Sequence, residues 1–205
     1  MLQTITDFGD SALLLPASCV LLVYFCATQE GNTAAAFAAG IALSAGITAL
    51  LKVSLHACGP ELPALGLHSP SGHAALSTTF YGCAALLLAE GRRPWQRRII
   101  GLAATALLLA IAISRLMLHA HTLPEVLAGT AIGLVGLLVF GARGRLVPVI
   151  GTQARLLLAG LAMVAILTHG QHINAEAAVV RLARQLQTTT NLCQATDTPP
   201  NAAPG

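Results

Sequence analysis

Six apolar stretches in a short chain leave few architectures open. They cover about residues 11–28, 33–51, 72–89, 99–117, 124–142 and 153–169 of a 205-residue sequence. A helix that crosses a bilayer needs about 20 apolar residues, with roughly 17 as the lower limit. Lengths of about 10–14 would point to buried helices of a water-soluble fold. Six successive longer runs fit an all-α, polytopic membrane helix bundle with about six transmembrane helices. Composition agrees: 9% of residues are charged and the mean hydropathy is +0.73, where a soluble domain carries about 25% charged residues. A net charge of +3, without a basic stripe interleaved with aromatics, excludes a nucleic-acid partner. Membrane lipids are the expected surroundings.

Residues 1–170 are expected to form the membrane domain. The N-terminus carries Asp7 and Asp10 where a signal peptide is basic, so the first run reads as a retained span. From Asn174 to Gln187, Ala178, Val179, Leu182 and Leu186 recur near helical period among polar residues. Within 171–187 an amphipathic helix on the membrane surface and a short solvated helix are both open readings. The tail 188–205 is polar and contains proline, which predicts disorder. Among the five cysteines, Cys58 and Cys193 fall outside the spans on one predicted side, where a disulfide is an open reading.

Arginines orient the bundle. Arg92, Arg93, Arg97 and Arg98 follow the third span, and Arg143, Arg145 and Arg155 follow the fifth. An even number of crossings separates the two groups, so they share a side, which the positive-inside rule makes cytoplasmic. Three polar islands then face outward together: Lys52; Pro70-Ser71-Gly72-His73; and Ser114-Arg115 with His121 and Glu125. Both termini face outward too.

Polar groups beside membrane spans are costly and mark function. Ser69 and Pro70 read as a helix start, with Ser69 as cap and Pro70 in the first turn. Backbone N–H groups at such a start attract anions, and His73 can give or take a proton. Alone, the segment fits an ordinary capped helix equally well. If 121–125 is helical, His121 and Glu125 share a face. A carboxylate on one ring nitrogen fixes the tautomer and leaves the other nucleophilic. Glu125 also fits a capping box begun by Thr122, and its side chain is not expected to serve both roles fully. Lys52 and Arg115, taken singly, read as snorkelling anchors. His119 and His121 point apart on a helix and no acidic cluster joins them, so no metal site is expected.

Taken in order, these residues resemble the type-2 phosphatidic acid phosphatase and vanadium haloperoxidase superfamily, in its small bacterial membrane branch. The family's first motif is Lys, six residues, then Arg-Pro; here Lys52 is followed by Gly59-Pro60, without the arginine. The second, Pro-Ser-Gly-His, is matched fully at Pro70 to His73. The third, Ser-Arg, five residues, His, three residues, Asp, appears as Ser114-Arg115, His121 and Glu125.

The resemblance implies a lipid phosphatase that works without cofactor or metal. It implies His121 as nucleophile forming a phospho-histidine, Glu125 as its orienting partner, and His73 as general acid and then base. Lys52, Ser71, Gly72 and Arg115 would hold the phosphoryl oxygens. His56 and His68 are candidates to replace the missing arginine if protonated. The implied partner is a lipid phosphate: phosphatidate, phosphatidylglycerol phosphate or undecaprenyl diphosphate. The implied location is the bacterial inner membrane, with the site facing the periplasm. The alternatives are a non-catalytic or weakly active lipid-phosphate binder or transporter, and a lipid phosphotransferase using the same site. An intramembrane protease using Ser71 is disfavoured, because Ser71 and His73 lie too close in sequence at a helix start for direct proton transfer.

Overall fold

The computed structural model describes residues 2–28, 31–58, 68–144, 151–168 and 170–171, with positions 179, 181, 182 and 185. Seven helices are defined there: α1 Leu2–Asp7, α2 Ser11–Thr28, α3 Gly31–Cys58, α4 Gly72–Ala89, α5 Pro94–Met117, α6 Leu123–Arg143 and α7 Gly151–Thr168. No strand occurs among the described residues. Among the described residues, five segments are long and apolar enough to cross a membrane: Leu2–Thr28, taken across the α1–α2 turn, Gly31–His56, Gly72–Ala89, Pro94–Met117 and Leu123–Arg143. The sixth predicted span corresponds to α7, whose apolar part, Arg155–Thr168, is shorter. Of the expected surface helix, Val179, Arg181, Leu182 and Gln185 are described, and they are helical. Gln171 is described and is not helical; the remaining residues of that segment, the tail and a Cys58–Cys193 pairing lie outside the described residues.

Helix ends follow local chemistry. Asp10 caps α2, its Oδ1 accepting the Ala12 N–H at 2.8 Å. Arg93-Pro94 begins α5 with proline in the first turn, where a missing N–H costs nothing. Thr122-Leu123-Pro124 begins α6 in the same way. Ser71, rather than Ser69, is the N-cap of α4, so Pro70 precedes the helix instead of sitting in its first turn. The second span extends past the predicted end at residue 51 to Cys58, so Lys52 lies inside α3.

The helices α3, α4 and α6 make the closest packing, and small residues permit it. A Cβ added to Gly133 of α6 would run into the Ala75 carbonyl and, at 2.6 Å, the Thr78 side chain of α4. A Cβ on Gly136 would meet the Gly40 carbonyl of α3 at 2.6 Å. Hydroxyls join the same three helices: Ser44 and Thr79 lie 2.6 Å apart, and Thr79 donates to the Gly133 carbonyl at 2.9 Å. Gly133→Ala therefore forces backbone apart. We expect a loss of about 1–3 kcal/mol, as overpacking typically brings, seen as a lower thermal midpoint in detergent. An unchanged midpoint would mean that α4 and α6 are not this close.

One end of the bundle is filled by aromatics. Phe25, Phe37 and Phe140 are wholly buried, with Phe25–Phe37 and Phe37–Phe140 ring centroids 5.6 and 6.0 Å apart. These residues lie late in α2, early in α3 and late in α6. Successive spans alternate in direction, so the start of α2, the end of α3, the start of α4, the end of α5 and the start of α6 share the opposite end. Lys52, Gly72, His73, Arg115 and Glu125 occupy those positions.

Candidate active site

At that opposite end lies a cavity of about 440 Å³. Its polar wall is made by Lys52, Gly72, His73, Arg115 and His121. Its apolar wall is made by Leu15, Ala45, Ala49, Leu76 and Val179. The three islands that are far apart in sequence thus converge on one space.

Glu125 organises the loops around it. Its Oε2 accepts from His121 Nδ1 at 2.9 Å and from the Thr122 N–H at 3.0 Å. Its Oε1 accepts from the His68 and Ser69 N–H groups at 3.1 and 2.9 Å. The capping and histidine-orienting roles, expected to be compatible only in part, are both served. One oxygen has lone pairs for two donors, and α6 begins only at Leu123, so His121 lies in the loop just ahead of it. The carboxylate is acceptor-only when ionised, so His121 carries its proton on Nδ1 and presents Nε2 as a bare lone pair.

His121 is mostly buried, and burial is the main force holding its pKa below the ordinary histidine value. The hydrogen bond to Glu125 opposes this, while the positive charges of Lys52 and Arg115 add to the lowering. The ring is therefore neutral at pH 7, the form a nucleophile needs.

Ser71 donates its N–H to the Glu125 carbonyl at 3.0 Å, and its hydroxyl accepts from Ala74 N–H at 3.4 Å. It is fully buried and is not among the residues lining the cavity, unlike the phosphate-facing hydroxyl expected from sequence. Its cap instead leaves the amides of Gly72 and His73 at the first turn of α4, without acceptors among the described residues. Donors at a helix N-terminus favour anions. Lys52 is buried at 6% exposure, which marks it as part of the site rather than a surface anchor. Arg115 donates from Nη1 to the Thr6 hydroxyl at 3.1 Å.

Neither candidate for the missing arginine lines the cavity. His56 Nδ1 lies 2.7 Å from the Lys52 carbonyl on its own helix. His68 contributes its backbone N–H to Glu125 while the residue itself is exposed. Gly59 and Pro60 fall outside the described residues.

The N-terminal segment was missed as part of the site. Asp10 Oδ2 stands 3.7 Å from His73 Nε2. Thr6 holds Arg115, and Gly9 packs on His73 and Ile111. The arginine pattern already placed the N-terminus on the same outer side as the islands, and an acidic residue at that edge was the available signal.

Comparison with known proteins bears on the family. Over 139 residues the chain is 28% identical to an uncharacterized 22.5 kDa protein in cps region of Klebsiella pneumoniae, covering 67% of this chain and 66% of that one. It is 37% identical over 95 residues to glucose-6-phosphatase 3 of Rattus norvegicus, 44% of this chain but 27% of the rat protein. The mouse (Mus musculus) glucose-6-phosphatase 3 is 40% identical over 73 residues, 33% of this chain and 21% of its own length. The chain thus spans under a third of the glucose-6-phosphatases it matches. No solved structure matches it significantly. The PAP2 superfamily pattern matches residues 33–145, more than half of the sequence and all three islands, and the chain belongs to the PAP2 superfamily.

Proposed function

We propose that this protein is an integral membrane phosphatase that hydrolyses a phosphomonoester or diphosphate of a lipid through a phospho-histidine at His121. The observation that carries this is the 2.9 Å His121–Glu125 pair at a cavity that also holds Lys52, Arg115 and His73. Simple phosphate binding gains nothing from an oriented, neutral histidine, whereas nucleophilic catalysis requires one.

His121 Nε2 attacks phosphorus, and the bond to the leaving oxygen breaks. His73 gives that oxygen a proton. Once neutral, His73 takes a proton from water, whose oxygen then attacks phosphorus and breaks the P–N bond. Lys52, Arg115 and the Gly72 and His73 amides stabilise charge on the phosphoryl oxygens, so no metal is invoked. Ser71 supports the site by fixing the first turn of α4. A lipid alcohol in place of water would make the same site a phosphotransferase.

Lipid is favoured as the leaving group by the wall of Leu15, Ala45, Ala49, Leu76 and Val179 beside the charged groups. An acyl or prenyl chain fits such a wall. The site faces the outside of the bacterial inner membrane, since the arginine-rich segments lie at the other end of the bundle. A second reading, a sugar phosphate as substrate, draws on the similarity to glucose-6-phosphatase 3.

The test is phosphate release by detergent-purified protein from phosphatidate, phosphatidylglycerol phosphate, undecaprenyl diphosphate and glucose 6-phosphate, with EDTA present. We expect release from at least one lipid, undiminished by EDTA. Release from glucose 6-phosphate alone would replace the lipid reading. No release from any of them by folded protein would favour a binder.

A further inference from the structure

We propose that Asp10 is a positioning residue for His73, acting from the turn between α1 and α2. The inference rests on His73 being the proton donor proposed above, and extends the site to a segment outside the three sequence islands.

The turn is built against His73. A Cβ on Gly9 would lie 3.3 Å from His73 Cδ2 and 2.8 Å from Ile111 Cγ2, so the glycine backbone packs tightly against the ring and against Ile111. Three contacts independent of Asp10 hold the turn in place. The Tyr81 hydroxyl of α4 donates to the Phe8 carbonyl at 2.8 Å. Arg115 of α5 donates to Thr6 at 3.1 Å. The Gly9 N–H donates to the Thr6 carbonyl at 2.8 Å.

Asp10 divides its carboxylate. Oδ1 caps α2 through the Ala12 N–H at 2.8 Å, while Oδ2 stands 3.7 Å from His73 Nε2. Capping alone needs one oxygen, and asparagine or serine caps about as well as aspartate. The second oxygen, on a residue only 6% exposed, is the one that approaches the histidine. At 3.7 Å it is beyond hydrogen-bond reach. It therefore attracts and orients the imidazolium without capturing the proton, and Nε2–H stays available to a leaving oxygen.

A proton donor matters most when the leaving group is a poor one. An alkoxide needs the proton in the transition state, whereas 4-nitrophenolate departs without it. The experiment measures kcat/KM, which reports phosphorylation of the enzyme, with dodecyl phosphate and 4-nitrophenyl phosphate. Wild type, Asp10→Asn, Asp10→Ser, His73→Ala and the Asp10→Asn/His73→Ala double variant are compared. General acid catalysis contributes about 10²–10⁴-fold. We expect Asp10→Asn and Asp10→Ser each to lose about ten- to hundred-fold on dodecyl phosphate, as partial loss of that contribution. On 4-nitrophenyl phosphate they should stay within about threefold of wild type, because its leaving group draws little on the donor. Asp10→Asn should add nothing in the His73→Ala background, as residues acting through one another are non-additive.

Equal losses on both substrates, or full additivity with His73→Ala, would overturn the positioning role. A lowered thermal midpoint with equal losses would make Asp10 a cap and nothing more. Absence of turnover in wild type would remove the phosphatase reading and this inference together. Wild-type turnover with unaffected Asp10 variants would remove this inference alone.

Discussion

His121→Ala is expected to abolish phosphate release, with a fall of roughly 10⁴–10⁶-fold, the scale on which enzymes with a covalent intermediate lose activity when the nucleophile is removed. The ring makes its hydrogen bond to Glu125 from a loop between α5 and α6, and helix packing does not depend on it. The variant should therefore unfold near the wild-type temperature, which separates loss of chemistry from loss of fold. Wild-type protein quenched during turnover of labelled substrate should carry acid-labile, base-stable phosphate, and His121→Ala should carry none. The same residue predicts the acid side of the pH profile. Attack requires the neutral ring, and burial, with help from Lys52 and Arg115, holds the His121 pKa below the ordinary histidine value. As pH falls, kcat/KM should hold through the range where an ordinary histidine titrates and decline only below it. A decline centred at the ordinary value would mean that His121 is not buried as described. Retained turnover in His121→Ala would end the phospho-histidine reading.

The bundle was legible because lipid imposes a strong rule on composition. Spans must be apolar, and their ends are punctuated by proline, serine and charge. The third predicted span, 72–89, coincides with Gly72–Ala89, and the first, 11–28, with Ser11–Thr28. The rule also explains where the reading stopped short. It ended the second span at residue 51 because Lys52 is charged, yet α3 continues to Cys58. A buried lysine is tolerated there because the helix end lies at the charged wall of the cavity. That Lys52, His73, Arg115 and His121 share one end of the bundle followed from counting crossings, which needs no side-chain geometry; their meeting at one cavity did not.

What did not follow from the sequence depends on atoms competing for the same partner. Ser71 had a hydroxyl in the right motif, but whether it faced a ligand or capped a helix turned on where α4 begins. The two roles of Glu125 looked compatible only in part until its two oxygens are seen to divide four donors. Asp10 was not singled out as a site residue, although its outward side was a signal, because α1 ahead of it is a separate short helix without an apolar run of its own. Only the turn at Gly9 brings that segment against His73 and Arg115.

Glu125→Gln tests how much of the site hangs on that one carboxylate. Four donors converge on it: His121 Nδ1 and Thr122 N–H on one oxygen, His68 and Ser69 N–H on the other. Glutamine keeps the shape but replaces one oxygen with an NH₂ group, itself a donor. If the amide oxygen stays with His121 and Thr122, the NH₂ faces the His68 and Ser69 amides and pushes away the loop that leads into Ser71 and the start of α4. If it flips, the NH₂ meets His121 Nδ1, and the ring must carry its proton on Nε2, which removes the nucleophile. Each orientation damages one wall of the cavity. A charge-assisted hydrogen bond is worth about 1.5–3 kcal/mol, so the variant should also be less stable. We expect kcat to fall about 10³–10⁴-fold, comparable to loss of the orienting carboxylate in a catalytic triad. Glu125→Gln should lower the thermal midpoint, where His121→Ala should not. A variant that loses stability but keeps most of its activity would show that the carboxylate serves α6 and the loop, and that His121 orients without it.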